Sequence, residues 1–190
     1  MDKQSAIILG VWRVILERGI SGVSVRAVAD AANVSVGLVQ HYYRSKDLLI
    51  RASARAMVAG AADRYGEVSS TGESIRHLVT HAIPTSDHER DGVIIWHAYL
   101  AGCVADPVLT QILRDAKSGQ ERELATRLAE TMPTAKAFVM ARTVIALADG
   151  LAERVVMGDL TGSEAVEAAL TALDELATPS APSSTSRTRK

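Results

Sequence analysis

A single cysteine, Cys103, stands in a chain of 190 residues, which excludes an intrachain disulfide and a cysteine-based zinc site. Aromatic residues amount to only 4%, and no segment sustains the period-two alternation of β-branched residues that marks a half-buried strand. No apolar stretch approaches the ~18 charge-free residues that span a bilayer. The opening residues MDKQSAIILG bring an acid at once and only a short apolar run, so they do not read as a secretory signal. Also missing are a Gly-rich phosphate loop, a nucleophile elbow, an HExxH pair and a convergent acid–base pair, so nothing suggests an enzyme or a cofactor. What is present is alanine, valine and leucine: 47% of the chain is apolar against 23% charged. Alanine is the best helix former, so the balance favours an all-α chain. Its length suits one to two domains at ~150 residues each. The expectation is a soluble, cytoplasmic, helical protein with no membrane partner.

The formal net charge of −1 conceals an asymmetry. Residues 1–51 hold seven Lys/Arg and four Asp/Glu, residues 52–177 hold eleven and eighteen, and residues 178–190 hold three and none. A basic N-terminal unit on a larger acidic body suggests that one end meets a polyanion, although a charge of this size also arises by chance. The tail TPSAPSSTSRTRK has almost no apolar side chains to offset the entropy of ordering, which predicts a disordered basic segment over 178–190.

Start and stop signals divide the rest into about nine helices. The first runs from Lys3 to Arg18, with Ile7, Ile8, Val11, Trp12, Ile15 and Leu16 on one stripe, and stops at Gly19. Ser24 and Ser35 can cap a second and a third, and Ser45 precedes a long fourth that reaches about Tyr65. Ser70-x-x-Glu73, Ser86-x-x-Glu89 and Thr161-x-x-Glu164 are capping-box patterns for the fifth, sixth and ninth. Asp106-Pro107 supplies a cap and a first-turn proline for the seventh, and Pro133-Thr134 opens an eighth that closes at Gly158.

The sharpest chemical pattern is Val25–Tyr42. A helix-turn-helix needs a small residue where its two helices nearly touch, and Ala29 is there. Its turn needs a residue that tolerates positive φ, and Asn33 follows four positions later. Val28, Ala32, Val34, Val39 and Tyr42 can bury the inner faces. Ser35, Val36, Gly37, Gln40 and His41 then lie on the outer face, as small or polar groups able to approach base edges. The plainer alternative is a helical hairpin whose outward polar residues serve only solubility.

The run Ser35-x-Gly37-Leu38, the aromatic close Tyr42-Tyr43 and the following Ser45-Lys46-Asp47-Leu48-Leu49 resemble the DNA-binding domain of the TetR family of transcriptional regulators. Trp96, Asp106-Pro107 and Ala148-Asp149-Gly150-Leu151 resemble, more weakly, the ligand-binding half of its choline-regulator-like branch. The resemblance implies a helix-turn-helix domain over 1–46 and a ligand-binding and dimerisation domain over 47–177. It implies that Ser24 and Arg26 contact phosphate, helped by the dipole of the second helix. Ser35, Val36, Gly37 and Gln40 would face the major groove, where Gln40 can pair with adenine N6 and N7. Tyr42 and Lys46 would hold the far backbone, while His41 is left to read a base or meet phosphate. Three positions depart from the family pattern: Asn33 replaces a usual glycine, and Gln40-His41 replaces a frequent tyrosine and aromatic pair.

The body offers three further candidate groups. Helix six concentrates Trp96, His97, Tyr99 and Cys103, which with Met57, Tyr65, Phe138 and Met140 are candidates to line an effector pocket; the alternative is core filling. His77 and His81, four apart with His88 and Glu89 beyond, have a spacing that suits a metal, but no cysteine or paired carboxylate completes the set, so no metal site is assigned. Helices eight and nine are apolar on more than one side and so need two partners. Ala141, Val144, Ala148, Leu151, Val155, Val166, Ala169, Leu170 and Leu173 are candidates for an interface between two copies. Together these features predict a homodimer that binds a double-stranded, inverted-repeat operator, acts as a repressor and is released by a small organic molecule. The rivals are a metal-responsive repressor and a DNA-binding protein with no effector.

Overall fold

The computed structural model describes the backbone of residues 2–65 and 71–178 and the side chains of 2–61 and 72–178. Ser70, the side chain of Tyr65 and the tail from 179 to 190 lie outside these described residues. Among the described residues there are nine α-helices and no strand: α1 Lys3–Arg18, α2 Val25–Ala32, α3 Val36–Tyr42, α4 Lys46–Tyr65, α5 Thr71–Thr80, α6 Asp87–Gly102, α7 Pro107–Leu128, α8 Thr134–Met157 and α9 Gly162–Ala177. None of them is long and apolar enough to cross a membrane.

Most starts are fixed by a side-chain hydrogen bond to an otherwise unsatisfied N–H group, whereas α8 begins at Pro133 without one. Ser24 Oγ accepts from the Ala27 amide at 3.1 Å, and Ser35 Oγ from Leu38 at 3.1 Å. Asp106 accepts from both Val108 and Leu109, at 3.0 and 3.1 Å. The complete capping box is at Thr161 and Glu164. At Ser86 the box is displaced by one residue, because Glu89 accepts from the Thr85 amide and hydroxyl, each at 2.7 Å. Asn33 closes α2 at φ 54° and ψ 48°, the left-handed geometry expected of it, and turns the chain towards α3. Gly10 sits where α1 meets α2: a Cβ there would stand 2.9 Å from Ala32 Cβ.

The apolar residues form two clusters, which do not divide at residue 46. The first joins Ile7, Val11, Val28, Val39 and Leu49 to Ile95, Tyr99, Leu109 and Leu113. The second joins Leu78, Leu124 and Leu128 to the inner faces of α8 and α9. Helix α7 runs through both. The core under α1–α3 therefore continues into α4, α6 and the first turns of α7, without a gap at residue 46.

Candidate nucleic-acid interface and effector region

Helix α3 is short and two-sided. Val39 is buried beneath it, while Ser35, Val36, Gly37, Gln40, His41 and Tyr42 are exposed on it. No heavy atom lies within 4 Å of where a Cβ on Gly37 would project, so backbone can approach another molecule closely there. Ser24 and Arg26 are exposed at the start of α2, where free N–H groups carry partial positive charge. Ser24 Oγ accepts from the Ala27 amide and keeps its own proton to donate. The His41 and Tyr42 rings meet edge-on, with centroids 5.4 Å apart. Lys46 is exposed, but its ammonium donates to the Ser21 carbonyl at 2.9 Å, a neutral acceptor that a charged phosphate would outcompete. Sequence reasoning passed over Arg44, exposed in the connection between α3 and α4; its place between Tyr42 and Lys46 was the available signal.

Above this unit, two polar links tie the first four helices to the body. Trp12 Nε1 donates to Tyr99 Oη at 3.0 Å, Tyr99 donates to Ser53 Oγ at 2.7 Å, and Ser53 donates to the Ile50 carbonyl at 2.9 Å. Tyr99 is wholly buried, and burial pushes its phenol up to about 12 against the weaker opposing pull of Ser53 and Trp12. The second link is bidentate: Arg51 Nε reaches Asp106 Oδ2 at 2.8 Å and Arg51 Nη2 reaches Oδ1 at 3.0 Å. That guanidinium, more than the cap amides, holds the Asp106 carboxyl below its ordinary range.

The expected effector pocket is not assembled from the residues named for it. Tyr99 is sealed in the first core cluster, while Met57, Cys103 and Trp96 pack partly buried against that cluster. Met140 is buried in the second. Phe138 is 45% exposed on the outside of α8, because it falls between the inward positions Ala137 and Met140–Ala141. His97 bridges helices instead: its Nδ1 lies 2.8 Å from the Val93 carbonyl and its Nε2 3.2 Å from Glu153. Trp96 has acquired company that sequence reasoning did not supply. The Lys117 ammonium lies 5.2 Å over its ring and 2.6 Å from Asp149 Oδ1. The one advance signal was Asp149, inside the Ala148–Leu151 motif.

His77 and His81 lie with ring centroids 6.1 Å apart, and His81 Nδ1 is 3.2 Å from the Leu78 carbonyl. The carboxylate of Glu89 is engaged by Thr85. Among the described residues no group of three or more His, Cys, Asp or Glu side chains is placed to hold a metal.

Six of the nine interface candidates need correction. Ala141, Val144, Ala148, Leu151, Ala169 and Leu173 are buried in the chain's own second cluster, where α8 and α9 pack on α5 and α7, so they have no surface left for a partner. Val155, Val166 and Leu170 are partly buried against the same cluster. The apolar surface that remains on α8 faces the other way, through Val139, Ala146, Leu147, Gly150 and Met157; Val139 is 69% and Met157 72% exposed.

Residues 7–53 match the model of the bacterial regulatory proteins of the tetR family. Residues 72–178 match that of the C-terminal region of BetI-type transcriptional repressors. The transcriptional regulator BetI of Burkholderia mallei is 28% identical over 154 residues, which cover 78% of this chain and 79% of that one. In fold, the chain is similar to a transcriptional regulator of Rhodococcus sp. RHA1, with a TM-score of 0.83 and 22% identity over 91% of this chain and 95% of that one. It is also similar to a regulator of Saccharomonospora viridis solved in complex with choline, with a TM-score of 0.78 and 20% identity over 90% and 95% of the two chains.

Proposed function

The chain belongs to the TetR family of bacterial transcriptional regulators, and from that premise we propose that it is a cytoplasmic homodimeric repressor whose effector is an organic cation. Its family is one of regulators rather than enzymes. Residues 1–46 would serve as the DNA-binding unit and 47–177 as the effector and dimerisation unit, with α4 shared in packing between them. The observation that carries the DNA reading is the exposed face of α3. It presents an amide side chain, a hydroxyl and a bare backbone over a buried Val39, and so suits insertion in a major groove. Ser24, Arg26, Tyr42 and Lys46 flank it as candidate phosphate contacts. A dimer through the outer face of α8 would present two such helices to an inverted repeat.

The effector class follows from Lys117. An ammonium seated over an indole face and against a carboxylate marks a place that stabilises organic cations. The Saccharomonospora viridis regulator, similar in fold, was solved with choline, itself a quaternary ammonium. An incoming cation would displace Lys117 from Trp96 and Asp149, loosening α6, α7 and α8 at one point. A coupling of ~1–3 kcal/mol between the sites is enough to shift operator affinity 5- to 150-fold.

Operator release followed by fluorescence anisotropy tests this, with choline as probe and zinc and nickel in parallel. Choline should release the wild type, less effectively Trp96→Ala and Asp149→Asn, and more effectively Lys117→Met, which lacks the internal competitor. Release by metal alone, lost in His77→Ala and His81→Ala but kept in Trp96→Ala, would replace the cation reading with a metal one.

A further inference from the structure

We propose that the trough between α1 and α4 is a second small-molecule site, one that takes an organic carboxylate with an apolar body and reports its occupancy through Trp12. The trough measures about 590 Å³, within the ~300–1,000 Å³ common for small-ligand sites. It exists because α4 offers Ala52 and Ala56, one turn apart, opposite Ile8 and Trp12 on α1. Larger side chains at either alanine would fill it. Its walls are therefore mostly apolar, with Gln4, Ser5 and Tyr43 adding polar atoms, and Asp2 and Arg55 bring charge.

Charges of both signs border the trough, and the one left unengaged selects the head of the ligand. Asp2 also borders the trough, but its carboxylate is engaged as the cap of α1, accepting from the Ser5 amide at 2.8 Å and the Ser5 hydroxyl at 3.1 Å. Arg55 is exposed at the same margin and has no ion pair or hydrogen bond with any described residue. An unengaged guanidinium beside an apolar trough matches a carboxylate head on an aromatic or aliphatic body.

Trp12 connects the trough to the rest of the molecule. One side of it borders the cavity, while its indole N–H opens the hydrogen-bond chain through Tyr99 and Ser53 to the Ile50 carbonyl. That chain passes from α1 to α6 to α4, across the junction between the unit that carries α3 and the body. A ligand pressing on Trp12 shifts the first bond of the chain and with it the seating of α1. The site lies apart from Trp96 and Lys117, so the two ligands need not compete. Only the effect on DNA rests on the proposed function above; binding itself does not.

The test uses naphthoate as probe on the full chain with tryptophan labelled for NMR, first without DNA. The chain has two tryptophans, and Trp96→Phe assigns their indole signals. Naphthoate should shift the Trp12 signal saturably and leave that of Trp96 in place. Arg55→Gln should weaken binding about ten-fold, as should replacing the probe by the neutral naphthalenemethanol, since a charge-assisted hydrogen bond is lost in each case. Ala56→Phe, which fills the trough, should abolish it. Saturating naphthoate should then lower operator affinity in the wild type but not in Ala56→Phe. Movement of the Trp96 signal instead, equal affinity in Arg55→Gln, or operator affinity indifferent to bound naphthoate would each overturn the proposal. Absence of operator binding in the unliganded wild type would strike the DNA reading alone, because the NMR arm is read without DNA.

Discussion

Tyr99 shows how far a residue's role can lie from what its neighbours in sequence suggest. An aromatic ring on a helix with Trp96 and His97 reads locally as pocket lining, yet its hydroxyl is taken up by Trp12 and Ser53, which lie 87 and 46 positions away. Nothing local encodes those partners. Tyr99→Phe keeps the ring but leaves Trp12 Nε1 without its acceptor and Ser53 without its donor. It should cost about 1–3 kcal/mol in urea unfolding. Its folded-state pKa of about 12 lies above the ordinary 10.0, so folding favours the neutral phenol. The wild type should therefore hold its stability up to about pH 10 and lose part of it as pH climbs towards 12, and Tyr99→Phe should lack that alkaline limb. Asp106 has the opposite sign. Its carboxyl is held below 3.8 chiefly by Arg51, so its contribution is present above that pH and is lost as pH falls further. Asp106→Asn keeps the cap of α7 but cannot titrate. It should be less stable at neutral pH and flatter in acid, as followed by circular dichroism.

At the scale of elements, the sequence was most readable where a structure is held by bonds within one turn. Ser24, Ser35, Ser86, Asp106 and Thr161 cap the helices they precede, because a cap needs only the next three residues. The side that each helix turns inward was harder to read. On α8, alanines and valines occur all round, so composition gives no way to tell the face packed on the chain's own α7 from the face left outside. Packing decides it: Ala141 is buried, and Ala146 is exposed. Two substitutions separate these roles. Ala141→Asp buries an unpaired carboxylate in the second cluster and should cost about 3 kcal/mol or more, unfolding the chain at a lower temperature. Ala146→Glu should leave the melting of secondary structure nearly unchanged and convert the proposed dimer to monomer in sedimentation. If Ala146→Glu sediments as the wild type does, the outer face of α8 is not the interface. Close backbone contacts were equally hidden. Gly10 passes for an ordinary apolar-face residue until α2 is seen against it, and Gly10→Ala should push α1 away from Ala32 at a cost of about 1–3 kcal/mol.

For the molecule as a whole, the all-helical class and the family were legible, since apolar periodicity and the Val25–Tyr42 pattern are properties of the chain itself. The way the ends join was not, because it depends on residues far apart in sequence. The cluster under α1–α3 includes Ile95, Leu109 and Leu113 from the body, and Arg51 clamps α4 to the start of α7. A molecule built this way cannot move its DNA-contacting helices without disturbing α4, α6 and α7, which is what a ligand-responsive regulator requires. The central proposal is that α3 is the element that reads DNA. Sequencing the fragments that the purified protein retains from a random pool, in parallel with Gln40→Ala, tests that most directly. The wild type should enrich an inverted repeat with half-sites about 34–36 Å apart, and Gln40→Ala should show a preference relaxed at one base pair per half-site with affinity lower by ~1–3 kcal/mol. No enrichment from the wild type, or an identical motif and affinity from Gln40→Ala, would contradict it.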